Sequence, residues 1–171
     1  MAQIPSLKTA RLILRPQDDS HAPALFAILS DARAMRFWNR STIGRLDVVK
    51  GLMREQQDAM AQGLCCYWTL MREGEAIGSI DLSLIQSGSA ELGFLLRPDS
   101  WGQGLASEAA ATVIGYAFDT LGLTQLAAAV QTANHAAARV LEKNGFARIE
   151  SRPVQLTGGL RAACDFYLRR R

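Results

Sequence analysis

Cysteine is scarce in this chain of 171 residues, histidine is scarcer, and neither sign of charge is in large excess. Three cysteines cannot all pair within the chain, and Cys65 and Cys66 are adjacent. That pattern argues against a disulfide framework and predicts a reducing compartment, the cytoplasm. With two histidines, His21 and His135, and no second Cys/His pair at ligand spacing, no metal site is expected and the thiols read as buried side chains. The 19 basic and 16 acidic residues leave a net charge of +3. Basic residues are scattered, with one run at Arg169, Arg170 and Arg171 that reads as a solvated tail. Nucleic-acid binders concentrate positive charge and interleave it with aromatic residues, so no nucleic-acid partner is expected. No segment approaches the ~18 uninterrupted apolar residues of a bilayer span, so no membrane partner is expected either. The opening residues lack a basic stretch followed by an apolar one, so no secretory signal is read there.

What is present is a globular balance of 49% apolar and 20% charged residues. The length fits one domain spanning residues 1–171, long enough to bury about 70% of its unfolded surface. Residues 11–15 read as a first strand stopped by Pro16, and Ser20 as the cap of a helix running to about Leu29. A second helix is predicted over 46–62, stopped by Gly63. The period then changes to that of strands at 65–72 and 76–85, joined at Glu73-Gly74-Glu75. A turn at 86–89 leads into a strand at 90–97. Helix, strand, helix, strand and strand follow at 103–121, 124–132, 134–144, 146–155 and 161–169. The result is an α/β (α+β) fold with a mainly antiparallel first half and no internal repeat.

The sharpest local signal lies between a strand and the long helix, at Trp101-Gly102-Gln103-Gly104-Leu105-Ala106-Ser107-Glu108-Ala109. Two glycines let the backbone turn tightly and approach a ligand closely. The helix start behind them offers unpaired N–H groups and the positive end of the dipole, which suits a phosphate or pyrophosphate. A plain strand–helix connection is the competing reading of this loop. A dinucleotide fold is not supported: Ser107 stands where the third glycine belongs, no acid ends the next strand, and the preceding hairpins are not a βαβ unit. The P-loop and serine-nucleophile motifs are both absent. Residues 134–146, beginning Asn134-His135 and ending Asn144-Gly145-Phe146, read on their own as a capped helix ended by glycine.

Taken together, these blocks resemble the GCN5-related N-acetyltransferases (GNAT family), within them the branch of ribosomal-protein N-terminal acetyltransferases. Thr9-Ala10-Arg11-Leu12-Ile13-Leu14-Arg15 is similar to that branch's opening strand. Glu91-Leu92-Gly93-Phe94-Leu95-Leu96-Arg97-Pro98-Asp99-Ser100-Trp101 with the loop that follows is similar to its acetyl-CoA motif, and residues 134–146 to its second cofactor motif. The resemblance implies a mixed, mainly antiparallel sheet flanked by helices and opened into a V beside Phe94, Leu95 and Leu96. Pantetheine would pair there as an added strand. The pyrophosphate would rest on the amides of Gly102, Gln103, Gly104, Leu105, Ala106 and Ser107. Asn134 would touch the cofactor. By spacing, Arg139 and Lys143 lie one turn apart on the same helix, which suits either contact with the CoA phosphates or a solvated face. Acetyl-CoA is the implied co-substrate, an amine the implied acceptor, and a monomer or homodimer the expected assembly. Trp101 replaces the Gln or Arg usual in the family, a change common in this branch.

The resemblance implies direct attack of a neutral amine on the thioester, with a backbone N–H near Leu95 or Leu96 stabilising the oxyanion. The cysteines lack a neighbouring histidine for a covalent route. Positions that carry the general acid in relatives hold Leu141 and Ala137, and Ala129 stands where some relatives have a basic Glu. Glu91 is the first candidate for the base and Asp81 the second. Making an α-amine of pKa ~7.8 neutral at pH 7 takes roughly 1 kcal/mol, against 4–5 for a lysine-like amine of ~10.4, which favours an α-amine. A small-molecule acceptor, such as an antibiotic or polyamine, and a non-catalytic acetyl-CoA-binding module are the alternatives.

Overall fold

The computed structural model describes residues 4–171. Two strands, β1 (Leu7–Lys8) and β2 (Ile13–Pro16), open the chain, followed by helices α1 (Ala22–Leu29) and α2 (Leu46–Ala61). Strands β3 (Cys66–Arg72), β4 (Glu75–Gln86) and β5 (Ser89–Leu96) form a meander. Its two-residue turns, Glu73-Gly74 and Ser87-Gly88, have positive φ at both positions, the form whose twist matches paired strands. Then come α3 (Leu105–Gly115), β6 (Gln125–Gln131), α4 (His135–Lys143), β7 (Ala147–Gln155) and β8 (Arg161–Arg170). All eight strands join one sheet in the order β1-β2-β3-β4-β5-β6-β8-β7, with β5–β6 the parallel pair and the other pairs antiparallel.

Alternation sorts the side chains onto two faces. Trp68, Leu70, Ile80, Leu82, Leu92 and Leu96 meet Ala109, Val113 and Ile114 of α3 and Leu141 of α4 in the main core. On the other face, α1 and α2 enclose Ala22, Leu25, Val49 and Met53, and Leu95 packs with Ile28, Ala34 and Met35. The main-chain amide of Thr157, between β7 and β8, donates to Asn39, and the Gln131 side chain donates to Trp38. The segment after α1 therefore closes over the second face of the sheet.

Three differences from the sequence reading have identifiable physical causes. Strand β2 begins at Ile13 because the main-chain amides of Arg11 and Leu12 bond to Glu108 and to the Thr9 hydroxyl, and Pro16 is its last residue. The cap before α1 is Asp18, which accepts from the amide of Ser20 at 2.8 Å and opens a short 3-10 turn. The predicted helix over 103–121 is α-helical from Leu105 to Gly115 and continues as a π-turn over Tyr116–Thr120, with Tyr116 edge-on to Trp68 at 5.5 Å.

Candidate active site

Strands β5 and β6 pair over only three rungs, Ser89 with Gln125, Ala90 with Leu126 and Glu91 with Ala127. Beyond Glu91 they part, which is the V expected between them. The main-chain amide of Arg97 donates to Ile77 at 2.8 Å, and β4 pairs in regular register from Gly78–Leu96 to Ser83–Glu91. The peptide groups of Gly93 and Leu95 therefore face β4, and those of Leu92, Phe94 and Leu96 face the open seam. Of the two oxyanion donors expected from sequence, Leu96 has its N–H at the seam; Leu95 turns its own to β4. The Leu96 carbonyl accepts the indole N–H of Trp101 at 2.9 Å, which ties the exposed Trp101 to the strand end.

The loop following β5 brings the expected anion-binding residues together. Gly102 and Gly104 have φ of 73° and 76°, and Gly104 is the N-cap of α3 without a side-chain partner. The first helical bond runs from the Glu108 N–H to the Gly104 carbonyl. The amides of Leu105, Ala106 and Ser107 thus lack intrahelical partners, as an anion cradle requires. Leu105 is buried in the core, and the Ser107 hydroxyl accepts from the Asn144 side chain at 3.0 Å, which holds the end of α4 against the first turn of α3. Gln103 is held by its side chain, which donates to the Asp99 carbonyl and accepts from Arg72. Asn134 caps α4, its side chain accepting from the amide of Ala137 at 3.2 Å. Arg139 is exposed on the same helix, while Leu141 and Ala137 are buried.

The two candidate carboxylates occupy one face of the sheet in different surroundings. Glu91 is exposed at the last paired rung of the V. Asp81 is buried, in register with Tyr67 on one side and Gly93 on the other. A Cβ on Gly93 would lie 2.7 Å from an Asp81 carboxylate oxygen, so this carboxylate leans over Gly93 toward the seam. Burial pushes the Asp81 carboxyl up to about 7, with the Glu91 charge adding to the rise and the Ser83 hydroxyl opposing it. Burial also raises the Tyr67 phenol and pushes the Cys65 and Cys66 thiols up to about 11, which keeps these groups protonated at neutral pH. His21 lies under the sheet against Thr69, and burial lowers its pKa. Among the described residues, no group of three or more His, Cys, Asp or Glu side chains is placed to hold a metal ion. No described helix is long and apolar enough to cross a membrane.

Sequence reading passed over Gly93, Glu108 and Asn144. An isolated glycine inside a strand is a signal of close approach, so Gly93 had one. Asn144 had none beyond helix termination, since its bond to Ser107 joins residues 37 positions apart.

The family model for an acetyltransferase (GNAT) domain matches residues 11–147. An uncharacterised N-acetyltransferase of Bacillus subtilis (strain 168) is 32% identical over 146 residues, covering 83% of this chain and 82% of the relative. The fold is similar to a Salmonella typhimurium acetyl transferase that modifies the N-terminal serine of ribosomal protein L7/L12, with a TM-score of 0.87, 18% identity and coverage of 98% and 99% of the two chains. It is also similar to spermidine N-acetyltransferase from Vibrio cholerae in complex with CoA and spermine, with a TM-score of 0.83, 18% identity and coverage of 94% and 96%. These two likenesses concern the fold; the match over residues 11–147 and the Bacillus relative carry the assignment. The chain belongs to the GNAT family of acetyltransferases, enzymes that use acetyl-CoA.

Proposed function

We propose that this protein transfers the acetyl group of acetyl-CoA to the α-amine of a protein N-terminus, with Asp81 as the proton acceptor. The position of the Asp81 carboxylate over Gly93, on the strand that borders the seam, carries this reading. The parted β5 and β6 strands and the uncapped start of α3 fit the two ends of the co-substrate: an unpaired strand edge for an amide-containing arm, free N–H groups for a pyrophosphate.

The amine nitrogen attacks the thioester carbonyl carbon, and the Leu96 N–H faces the seam where negative charge grows on the oxygen. Collapse of that intermediate breaks the C–S bond and releases CoA as thiolate. An ionised Asp81 takes the proton lost by the amine, and the resulting carboxylic acid can return it to the thiolate, which closes the balance without a tyrosine at Leu141. The amine reaches the site neutral, its first proton left in solvent, which at pH 7 costs roughly 1 kcal/mol for an α-ammonium of ~7.8 but between 4 and 5 for a lysine ammonium of ~10.4. That difference supports the α-amine class. The Salmonella protein, whose described substrate is a protein N-terminus, is a likeness in the same direction.

The test is CoA release from acetyl-CoA with three acceptors: a peptide with a free N-terminus, the same peptide N-terminally blocked but containing lysine, and spermidine. The free N-terminus should be the best acceptor near pH 7. Spermidine as the preferred acceptor would overturn the α-amine assignment, and the absence of transfer to all three would favour a binding module. Glu91→Gln should retain turnover within about threefold, because Asp81, not the exposed Glu91, lies over Gly93 as the proposed proton acceptor. A loss equal to that of an Asp81 variant would return Glu91 to the role of base.

Asn134 joins cap and cofactor site. Asn134→Ala should lower stability by about 1 kcal/mol through loss of the cap and also weaken CoA binding, measured by thermal melting and calorimetry. Lower stability with unchanged affinity would leave Asn134 as a cap alone.

A further inference from the structure

Between β1 and β2 the chain turns at residues 9–12 and sends one arginine into the anion-binding loop. The Thr9 hydroxyl donates to the Glu108 carboxylate, as does the main-chain amide of Arg11 at 2.8 Å. The Arg11 guanidinium grips the other carboxylate oxygen through Nε and Nη2, both at 2.7 Å. Its remaining arm, Nη1, donates to the main-chain carbonyl of Gln103 at 2.9 Å. One side chain thus joins the chain's opening turn, the first turn of α3 and the glycine loop.

We propose that Thr9, Arg11 and Glu108 form a clamp that fixes the Gln103–Gly104 peptide in its phosphate-binding orientation. This inference rests on the placement of the co-substrate's pyrophosphate at the loop. In a trans peptide the carbonyl and the following N–H point in opposite directions. With the Gln103 carbonyl held by Arg11, the Gly104 N–H points away from Arg11. Gly102 and Gly104, both at positive φ, give this loop a backbone that alternative peptide orientations could otherwise occupy. Fixing one orientation before the ligand arrives removes an ordering cost from binding.

Glu108 needs the clamp for a second reason. A carboxylate in the first turn of α3 competes with a phosphate for the same positive helix end. The four donor groups from Thr9 and Arg11 absorb that charge, and the Glu108 carboxyl is held below the ordinary range by these hydrogen bonds and by the Arg11 charge, against the opposing effect of burial. Arg11 and Glu108 are therefore positioning residues: their effect reaches the ligand through the Gln103 peptide.

The experiment compares CoA with pantetheine, which lacks the pyrophosphate, on wild type, Arg11→Lys and Arg11→Gln. In wild type, adding CoA should shift the amide resonances of Gly104, Leu105, Ala106 and Ser107; without that shift the pyrophosphate placement fails and the clamp with it. Lysine keeps the charge but cannot reach Glu108 and the Gln103 carbonyl together. Both variants should weaken CoA about 10- to 30-fold by calorimetry, the lower part of the range for a lost charge-assisted hydrogen bond. Pantetheine affinity, read by ligand-observed NMR, should stay within about twofold on the same scale. Wild-type CoA affinity in Arg11→Lys would overturn the orienting role, and a parallel loss of CoA and pantetheine would reduce the clamp to general stability. Thr9→Val, which keeps both arms of Arg11, should weaken CoA less than Arg11→Lys; the reverse order would also overturn the proposal.

Discussion

Asp81→Asn should lower turnover by about 10²- to 10⁴-fold while acetyl-CoA affinity changes little, the signature of a lost proton acceptor. In wild type the pH–rate profile should carry an inflection near 7, superimposed on the rise from the acceptor amine becoming neutral, because only the ionised carboxylate accepts a proton and burial places its pKa there. The rate of Asp81→Asn should lack this inflection and keep only the rise that comes from the acceptor amine becoming neutral. Stability should move in the opposite sense. The folded protein holds the Asp81 proton up to about pH 7, whereas the unfolded chain releases it near 3.8. Wild type is therefore unpenalised below 3.8, loses stability as pH rises from there to about 7, and stays at the lower level above it. Relative to wild type, the Asn variant should gain in melting temperature between pH 5 and pH 8. A pH-independent difference in melting temperature would show that Asp81 does not titrate near neutrality, and an unchanged turnover would remove it as the base.

Gly104→Val should reduce CoA affinity by about 100-fold or more. At φ 76° a β-branched side chain is strained, with the left-handed conformation alone costing roughly 1–2 kcal/mol. A side chain there would also project beside the Arg11 guanidinium, whose Nη2 is 3.6 Å from the Cβ position. Strain would distort the N-cap of α3, and bulk would obstruct the backbone approach that the glycine permits. Circular dichroism checks the fold and calorimetry the affinity. A folded variant that binds CoA as tightly as wild type would show that the pyrophosphate lies elsewhere.

Local chemistry made much of this architecture legible in the sequence. Glu73-Gly74 and Ser87-Gly88 specify tight hairpin turns, so β3, β4 and β5 fall within one or two residues of their expected bounds. Asn134 and Gly145 bracket α4 through contacts with their immediate neighbours. The glycines of the 102–104 loop and the helix behind them gave the anion-binding reading from a single window, and the order of the three motif segments gave the family. All of these depend on interactions between residues a few positions apart.

Tertiary structure decided what long-range pairing controls. The Arg11 amide bonds to Glu108, 97 positions away, so β2 starts two residues later than its apolar pattern suggests. The parting of β5 from β6 depends on where a parallel pair stops, and no residue in either strand announces it. The order of preference between Glu91 and Asp81 turned on the same kind of fact. By sequence both are carboxylates on neighbouring strands, and Glu91 stands nearer the expected acetyl group. Strand register sets Asp81 opposite Gly93, and the missing Cβ lets its carboxylate lie over that strand. Burial beneath the α1–α2 side of the sheet then raises its pKa toward neutrality, while Glu91 stays exposed. Desolvation is set by everything packed around a group, so residue type and spacing named two candidate carboxylates, and only the assembled sheet shows how their surroundings differ.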